Sequence, residues 1–379
     1  MPCGDRPFLA WVMREMQRFG VEEFVLLTER CSQAVTSAIG ELRSFLPKSA
    51  RIVISHAPSR CGTGGALHHA RQYLHERFLL CRGEALFSCN LARFLAAAST
   101  GHWLLLRPVE EAGQQAEICL QGVEGTIISL HRDSGRYEEA GLVSTGICLF
   151  EASVFEILTE TCSLERDVLP ILARSGVLRG LSLTGEFHDV GDVADPDVAL
   201  EMAGRKLPRS LRRPAVFLDR DGVINRDFGW VGTRERFEWE PGVREAIARI
   251  TDGGYHVFIV TNQSGIARGF YSEDDLLRLM DWVIDVIREE GGTVDDWRYC
   301  PMHPEAEIEQ YRGVSEDRKP GPGMIVDLLK RWELDPARCV LFGDQPSDMQ
   351  AAKAAEVEGV PIGPVSLFDF IVTENVLKI

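Results

Sequence analysis

Short runs rich in Val, Ile, Leu and Phe alternate along the chain with stretches whose apolar residues recur every three or four positions. The first kind of run predicts buried strands and the second predicts amphipathic helices. In the first half the strand candidates are Glu23-Phe24-Val25-Leu26-Leu27-Thr28, Arg51-Ile52-Val53-Ile54-Ser55 and Phe78-Leu79-Leu80-Cys81. In the second half they are Val216-Phe217-Leu218, Val257-Phe258-Ile259-Val260 and Cys339-Val340-Leu341-Phe342. Val243, Ile247 and Ile250 share one predicted helical face, and Leu277, Met280, Ile284 and Ile287 share another, both directed at the core. Ser272 followed by Asp275 predicts a capping box opening the latter helix, and Gly291-Gly292 predicts its end. Strands that alternate with helices in both halves imply an α/β chain. Between the halves, Lys206-Leu207-Pro208-Arg209-Ser210-Leu211-Arg212-Arg213-Pro214 is basic and punctuated by proline. That composition predicts a solvated linker over 205–213 between domains 1–204 and 214–379.

The second-half strands end on polar chemistry. Val216-Phe217-Leu218 runs into Asp219-Arg220-Asp221-Gly222, two carboxylates one residue apart. Open α/β sheets bind ligands outside the carboxyl ends of their strands. Carboxylates that close repel each other, so a cation is expected between them. The next run ends at Thr261-Asn262-Gln263-Ser264-Gly265, where a hydroxyl and amides could hold a phosphate, and the third ends at Gly343-Asp344 with Asp348 following. Arg318-Lys319-Pro320 sets two cations in a loop before a predicted helix. One such Asp would more commonly be a turn or cap residue. Four polar segments in this order make a phosphate and a divalent metal the simplest common ligand.

From about Pro214 to the C-terminus these segments resemble the four motifs of the haloacid dehalogenase-like phosphohydrolases. Asp-Arg-Asp-Gly-Val, Thr-Asn-Gln-Ser-Gly-Ile-Ala-Arg-Gly and Arg-Lys-Pro-Gly-Pro-Gly-Met look most like its heptose-bisphosphate phosphatase branch, with the histidinol-phosphate phosphatases close by. The resemblance implies a Rossmann-like domain with a parallel sheet. It makes Asp219 the nucleophile and Asp221 the general acid and base, which suits carboxylate chemistry. It implies Mg²⁺ held by Asp219, the backbone carbonyl of Asp221 and Asp344, with Asp348 in support. Thr261, Asn262, Gln263 and Lys319 are implied at the phosphate. Arg268 and Arg318 flank that site and would clamp the second phosphate of a phosphorylated sugar, since guanidinium groups bind such oxygens bidentately. The branch commonly carries a zinc loop. Here Cys300-Pro301-Met302-His303-Pro304 and Ser315-Glu316-Asp317-Arg318-Lys319-Pro320 lack two thiolates and one histidine of that pattern, so no zinc is expected.

Composition narrows the rest. The chain has 379 residues, 45% of them hydrophobic and 26% charged, enough for two cored domains. A formal net charge of −16 argues against a nucleic-acid surface. No apolar stretch approaches a membrane span, and ten scattered cysteines read as reduced thiols, so a cytoplasmic location is expected. Oligomeric state is left open.

The first half carries a glycine-rich segment, Gly62-Thr63-Gly64-Gly65-Ala66-Leu67, expected to form a turn leading into a helix and suited to a ligand's close approach. With Arg6-Pro7-Phe8-Leu9, Gly83-Glu84-Ala85-Leu86-Phe87, Cys162-Ser163-Leu164-Glu165-Arg166-Asp167 and Phe187-His188-Asp189-Val190-Gly191, it resembles sugar-1-phosphate nucleotidyltransferases over residues 5–202. That family opens with a strand and a nucleotide-gripping loop, and this chain begins after both. The family's Gly-Asp metal position reads Gly83-Glu84, its Asn before Gly146 reads Ser144-Thr145, and Asp189 alone matches a ligand position. The segment is either a non-catalytic remnant or a chain whose start lies upstream. Both readings make it a poor nucleotidyltransferase with a vestigial site at Gly62, Thr63, Gly64, Gly65, Glu84 and Asp189. A bifunctional transferase–phosphatase remains the alternative.

Overall fold

The computed structural model describes residues 2–3, 6–29, 39–40, 42–43, 46, 50–109, 117–121, 125–132, 141–191, 213–363, 366–373 and 377. The chain divides into two compact α/β units, Met1–Pro208 and Arg209–Ile379. The 205–213 segment lies outside the described residues except for Arg213. Among the described residues, no helix is long and apolar enough to cross a membrane.

In the first unit β1 (Glu23–Glu29) and β2 (Arg51–Ala57) pair in parallel. Their apolar residues face α1 (Phe8–Arg18) in a cluster that includes Met13, Leu42 and Ile52. A larger sheet gathers β3 (Arg77–Cys81), β5 (His102–Val109), β6 (Glu117–Gln121), β7 (Ile127–Arg132), β8 (Gly141–Glu151) and β9 (Leu178–Ser182). The path runs β9-β5-β8-β6-β7, with β3 also on β8. Outside it, β4 (Ala85–Ser88) pairs antiparallel with β10 (Glu186–Asp189), and Asp189 lies opposite Ala85. The expected glycine-rich turn is instead the start of a helix, α2 (Gly62–His69).

The second unit is a five-stranded parallel sheet in the order β13-β12-β11-β14-β15. Its strands are β11 (Ala215–Leu218), β12 (His256–Asn262), β13 (Asp296–Cys300), β14 (Cys339–Gly343) and β15 (Glu358–Pro361). β11 lies at the centre with all four residues buried, because both of its faces are covered. One face packs on helices Val243–Asp252 and Glu273–Glu289, the other on Gly323–Trp332 and Pro346–Ala354. The Ser272–Asp275 capping box forms, and Gly291, at φ 85°, closes the same helix with its N–H bonded to the Arg288 carbonyl. The buried face of that helix is Leu276, Leu279, Met280, Val283 and Ile287, however, and Leu277 is exposed. The expected stripe was therefore displaced at its first turn, and Ile284 is only partly buried.

Candidate active site

Parallel pairing brings the carboxyl ends of β11, β12 and β14 together, and the polar segments following each strand meet there. Asp219 extends β11, its N–H bonded to the Phe342 carbonyl at 3.0 Å. The Lys319 ammonium reaches Asp219 Oδ1 at 2.8 Å, Asp348 Oδ1 at 2.5 Å and the Val260 carbonyl at 2.9 Å. Asn262 fixes the lysine's backbone, accepting from the Lys319 N–H and donating to its carbonyl, both at 3.0 Å. Asn262 lines the cavity as expected, but its amide is committed to holding Lys319.

Asp221 accepts from Arg220 Nη2 on both oxygens at 2.8 and 2.9 Å, from Asn225 at 2.9 Å and from Gln263 at 2.9 Å. Gln263 also donates to Thr261 Oγ1 at 2.8 Å and accepts from the Tyr271 hydroxyl at 2.6 Å. It therefore sits behind the carboxylate and outside the cavity lining. Tyr271 reaches it by passing between two glycines: a Cβ would lie 2.1 Å from its ring at Gly232 and 2.3 Å at Gly265. Burial pushes the Tyr271 hydroxyl up to about 12, which keeps it a donor. Arg220, Asn225 and Tyr271 were not anticipated. Arg220 and Asn225 hold a carboxylate one and four residues away, a contact that residue type alone does not reveal before the turn is known.

Asp344 follows β14 against Gly222, which turns at φ 86° and whose Cβ would lie 2.4 Å from Asp344 Oδ2. Asp344 Oδ2 accepts from Gln345, while its buried Oδ1 has no hydrogen-bond partner. Ligand oxygens of Asp219, Asp344 and Asp348 lie within 4.8 Å of one another. Three carboxylates against one ammonium leave two negative charges to be balanced. Burial, aided by Asp348 against the pull of Lys319, pushes Asp219 up to about 7, and burial raises Asp344 as well. An orphaned carboxylate oxygen, an all-oxygen donor set and a charge deficit of two fit a hard divalent cation.

A cavity of about 210 Å³ lies over this cluster, lined by Asp219, Asp221, Asp227, Gly229, Trp230, Thr261, Asn262, Ser264, Tyr271, Lys319, Asp344, Gln345 and Ser347. Arg268 and Arg318 fall outside the lining. Burial lowers Arg318, and the neighbouring Arg268 lowers it further. His303 is likewise lowered by burial, then by Arg318 and Arg268. Neither guanidinium has a carboxylate within ion-pair distance among the described residues. Arg318 donates to the Met302 carbonyl at 3.1 Å, and Cys300 is buried beside that loop. The loop is tied elsewhere by Glu273, which accepts from the hydroxyls of Tyr299 at 2.5 Å and Tyr311 at 2.7 Å.

In the first unit β4–β10 pairing brings Glu84 and Asp189 together, with Arg82 between them at 3.0 and 2.9 Å. The glycine segment packs on its own chain. The N–H groups of Gly64 and Gly65 bond the Cys162 carbonyl at 3.0 and 3.1 Å, and Thr63 donates to Glu165 at 2.8 Å. A Cβ at Gly62 would lie 2.4 Å from the Cys162 carbonyl oxygen, so the close approach is to backbone and no ligand is needed to explain it.

Comparison with known proteins agrees with the second unit. Residues 234–356 match the haloacid dehalogenase-like hydrolases. The D-glycero-beta-D-manno-heptose-1,7-bisphosphate 7-phosphatase of Rhodopseudomonas palustris is 53% identical over 148 residues, which is 39% of this chain and 82% of that protein. A solved D,D-heptose 1,7-bisphosphate phosphatase from B. bronchiseptica, complexed with magnesium and phosphate, is 32% identical over 43% of this chain and 88% of its own, with TM-score 0.36. HddC from Yersinia pseudotuberculosis is 18% identical over 53% of this chain and 88% of its own, with TM-score 0.46. Identity at the level of the R. palustris protein, over most of that protein's length, settles kinship: the chain belongs to the haloacid dehalogenase-like hydrolases, as a phosphoric monoester hydrolase akin to the heptose-bisphosphate 7-phosphatases.

Proposed function

We propose that the second unit removes the 7-phosphate of D-glycero-D-manno-heptose 1,7-bisphosphate, leaving heptose 1-phosphate, through an aspartyl-phosphate on Asp219. The observation that carries this reading is the placement of Asp219, Asp221, Thr261 and Lys319 around one cavity, with Asp344 and Asp348 converging on Asp219. An oxygen of Asp219 attacks phosphorus as the bond to the sugar oxygen breaks, and Asp221 gives that oxygen its proton. Asp221 then takes a proton from water, whose oxygen attacks the same phosphorus. Inorganic phosphate leaves and Asp219 is restored. Lys319 and Thr261 hold the phosphoryl oxygens, where charge and positioning supply most of the acceleration. Mg²⁺, held by Asp219, the Asp221 carbonyl and Asp344 with Asp348 behind, would offset negative charge on the phosphoryl group.

Arg268 and Arg318 give the second phosphate its counter-charge. Their mutual proximity without a carboxylate supports this assignment, because gathered cations are relieved by an anion. We assign the unit a cytoplasmic location and no structural zinc. To the first unit we assign no nucleotidyl transfer, since Arg82 already pairs with both Glu84 and Asp189 where a metal would need them. Phosphate release from heptose 1,7-bisphosphate with Mg²⁺ tests the whole reading. Turnover should collapse in Asp219→Asn, and near-normal turnover in that variant would end the proposal.

A further inference from the structure

Trp230 and Phe270 are large apolar side chains on the outside of a charged site. They are 46% and 56% exposed, with ring centroids 4.7 Å apart at 44°. Exposed aromatic surface beside a polar cleft costs solvation unless something covers it. Trp230 is also held in an unusual backbone conformation, φ 51°, which a non-glycine residue rarely adopts. Two arginines keep it there. Arg236 donates to the carbonyls of Phe228 at 3.2 Å, Gly229 at 3.1 Å and Trp230 at 3.4 Å. Arg220, fully buried, donates to the next carbonyl, Val231, with the same nitrogen that holds Asp221. Four successive carbonyls are thereby fixed, and the indole is displayed from a rigid base tied to the acid–base carboxylate. Strain kept by so many contacts is commonly found at binding sites.

We infer that Trp230, backed by Phe270, is the platform on which the carbon skeleton of the phosphorylated sugar lies while its phosphate reaches Asp219. The inference rests on the phosphatase reading above and deepens it. Trp230 lines the same cavity as Asp219 and Asp221, so a ligand with its phosphate at the carboxylates has its next atoms at the indole. Phosphate itself gains little from an aromatic face. A sugar presents C–H groups on one side and hydroxyls at its edge, which matches an indole flanked by charged groups. The Arg268 guanidinium, 5.7 Å from the Trp230 ring centroid, provides a polar neighbour for those hydroxyls or the distal phosphate. Trp230 therefore selects polyol phosphates over small acyl phosphates.

The test compares heptose 1,7-bisphosphate with acetyl phosphate, which has no ring or polyol to stack, on the full chain with Mg²⁺. Trp230→Ala should raise KM for the bisphosphate about tenfold with kcat little changed, lowering the bisphosphate-to-acetyl-phosphate ratio of kcat/KM by the same factor. Trp230→Phe should restore most of that ratio. Equal losses on both substrates would make Trp230 a structural residue and overturn the inference. A second arm needs no turnover. In Asp219→Asn, calorimetric binding of the bisphosphate should weaken about tenfold on adding Trp230→Ala. Unchanged binding there would overturn the platform even if the phosphatase reading stands. Absent turnover in the wild-type chain, with binding still sensitive to Trp230, would instead remove the hydrolysis and keep the platform.

Discussion

Replacing Lys319 by Met keeps an unbranched chain of similar length and removes the single ammonium among Asp219, Asp348 and the Val260 carbonyl. The lysine is 3% exposed, so water cannot take its place cheaply. Removing one partner of a buried ion pair typically costs about 3–5 kcal/mol. The carboxylates can limit that loss by keeping a proton. An Asp forced to stay neutral costs about 1.4 kcal/mol for each pH unit above its unfolded titration near 4, hence about 4 kcal/mol at pH 7 and under about 2 at pH 5. The penalty should therefore shrink on acidification, which a packing defect would not do. Because the chain has two units, hydrogen exchange of peptides spanning 215–218 and 339–343 is the right readout, at pH 5 and 7 with the intrinsic rate corrected. Protection should fall strongly at pH 7 and much less at pH 5, and Mg²⁺ should return part of it. Equal losses at both pH values, or none at pH 7, would refute the charge argument. Turnover should also drop by about 10² or more, since a phosphoryl-holding cation is gone.

Four further outcomes follow from the same geometry. Asp219 is pushed up to about 7 by burial, so the metal-free fold holds a proton that the unfolded chain sheds near 4 and loses stability as pH rises between those values. A divalent ion must displace that proton, so Mg²⁺ affinity measured by calorimetry should fall about tenfold per pH unit below 7 and level off above it; equal affinity at pH 6 and 8 would contradict this. Tyr271→Phe removes the hydroxyl that holds Gln263 behind Asp221, costing about 1 kcal/mol of stability and lowering kcat more than it raises KM; steady-state kinetics that show only a KM change would place Tyr271 elsewhere. Elemental analysis should find no stoichiometric zinc, and Glu273→Ala should loosen exchange over 300–313 while leaving 215–218 protected.

Sequence disclosed the second unit more fully than the first. Asp219 and Asp344 were legible because an apolar run ending in charge marks a strand end, and parallel pairing then places such ends on one edge, while Lys319 was legible as one of two cations in a loop before a helix. The offset at Leu277 arose because two neighbouring stripes share Met280 and Ile287, and only packing against β11 and β12 chooses between them. Asn262 and Gln263 were recognised as site residues, but which groups their amides serve depends on Lys319, distant in sequence, and on Tyr271, which the turn between them brings back. The glycines at 62–65 invited a ligand reading because absence of a Cβ signals close approach without saying to what. Here the approaching group is the 160–162 backbone.

Placing β11 in the middle of the sheet has a consequence for how the protein is made. Its neighbours on both sides, β12 and β14, are encoded later in the chain. A ribosome therefore releases Asp219 well before Lys319, and Asp348 last of all. Until Lys319 is made the growing unit carries a carboxylate without its counter-ion, and until Cys339–Gly343 follows β11 lacks its partner on one side, a stretch suited to chaperone capture. The pairings that cure this span long sequence separations and form late. On the proposed mechanism the site is complete only once Asp348, the last of its groups in chain order, has been made.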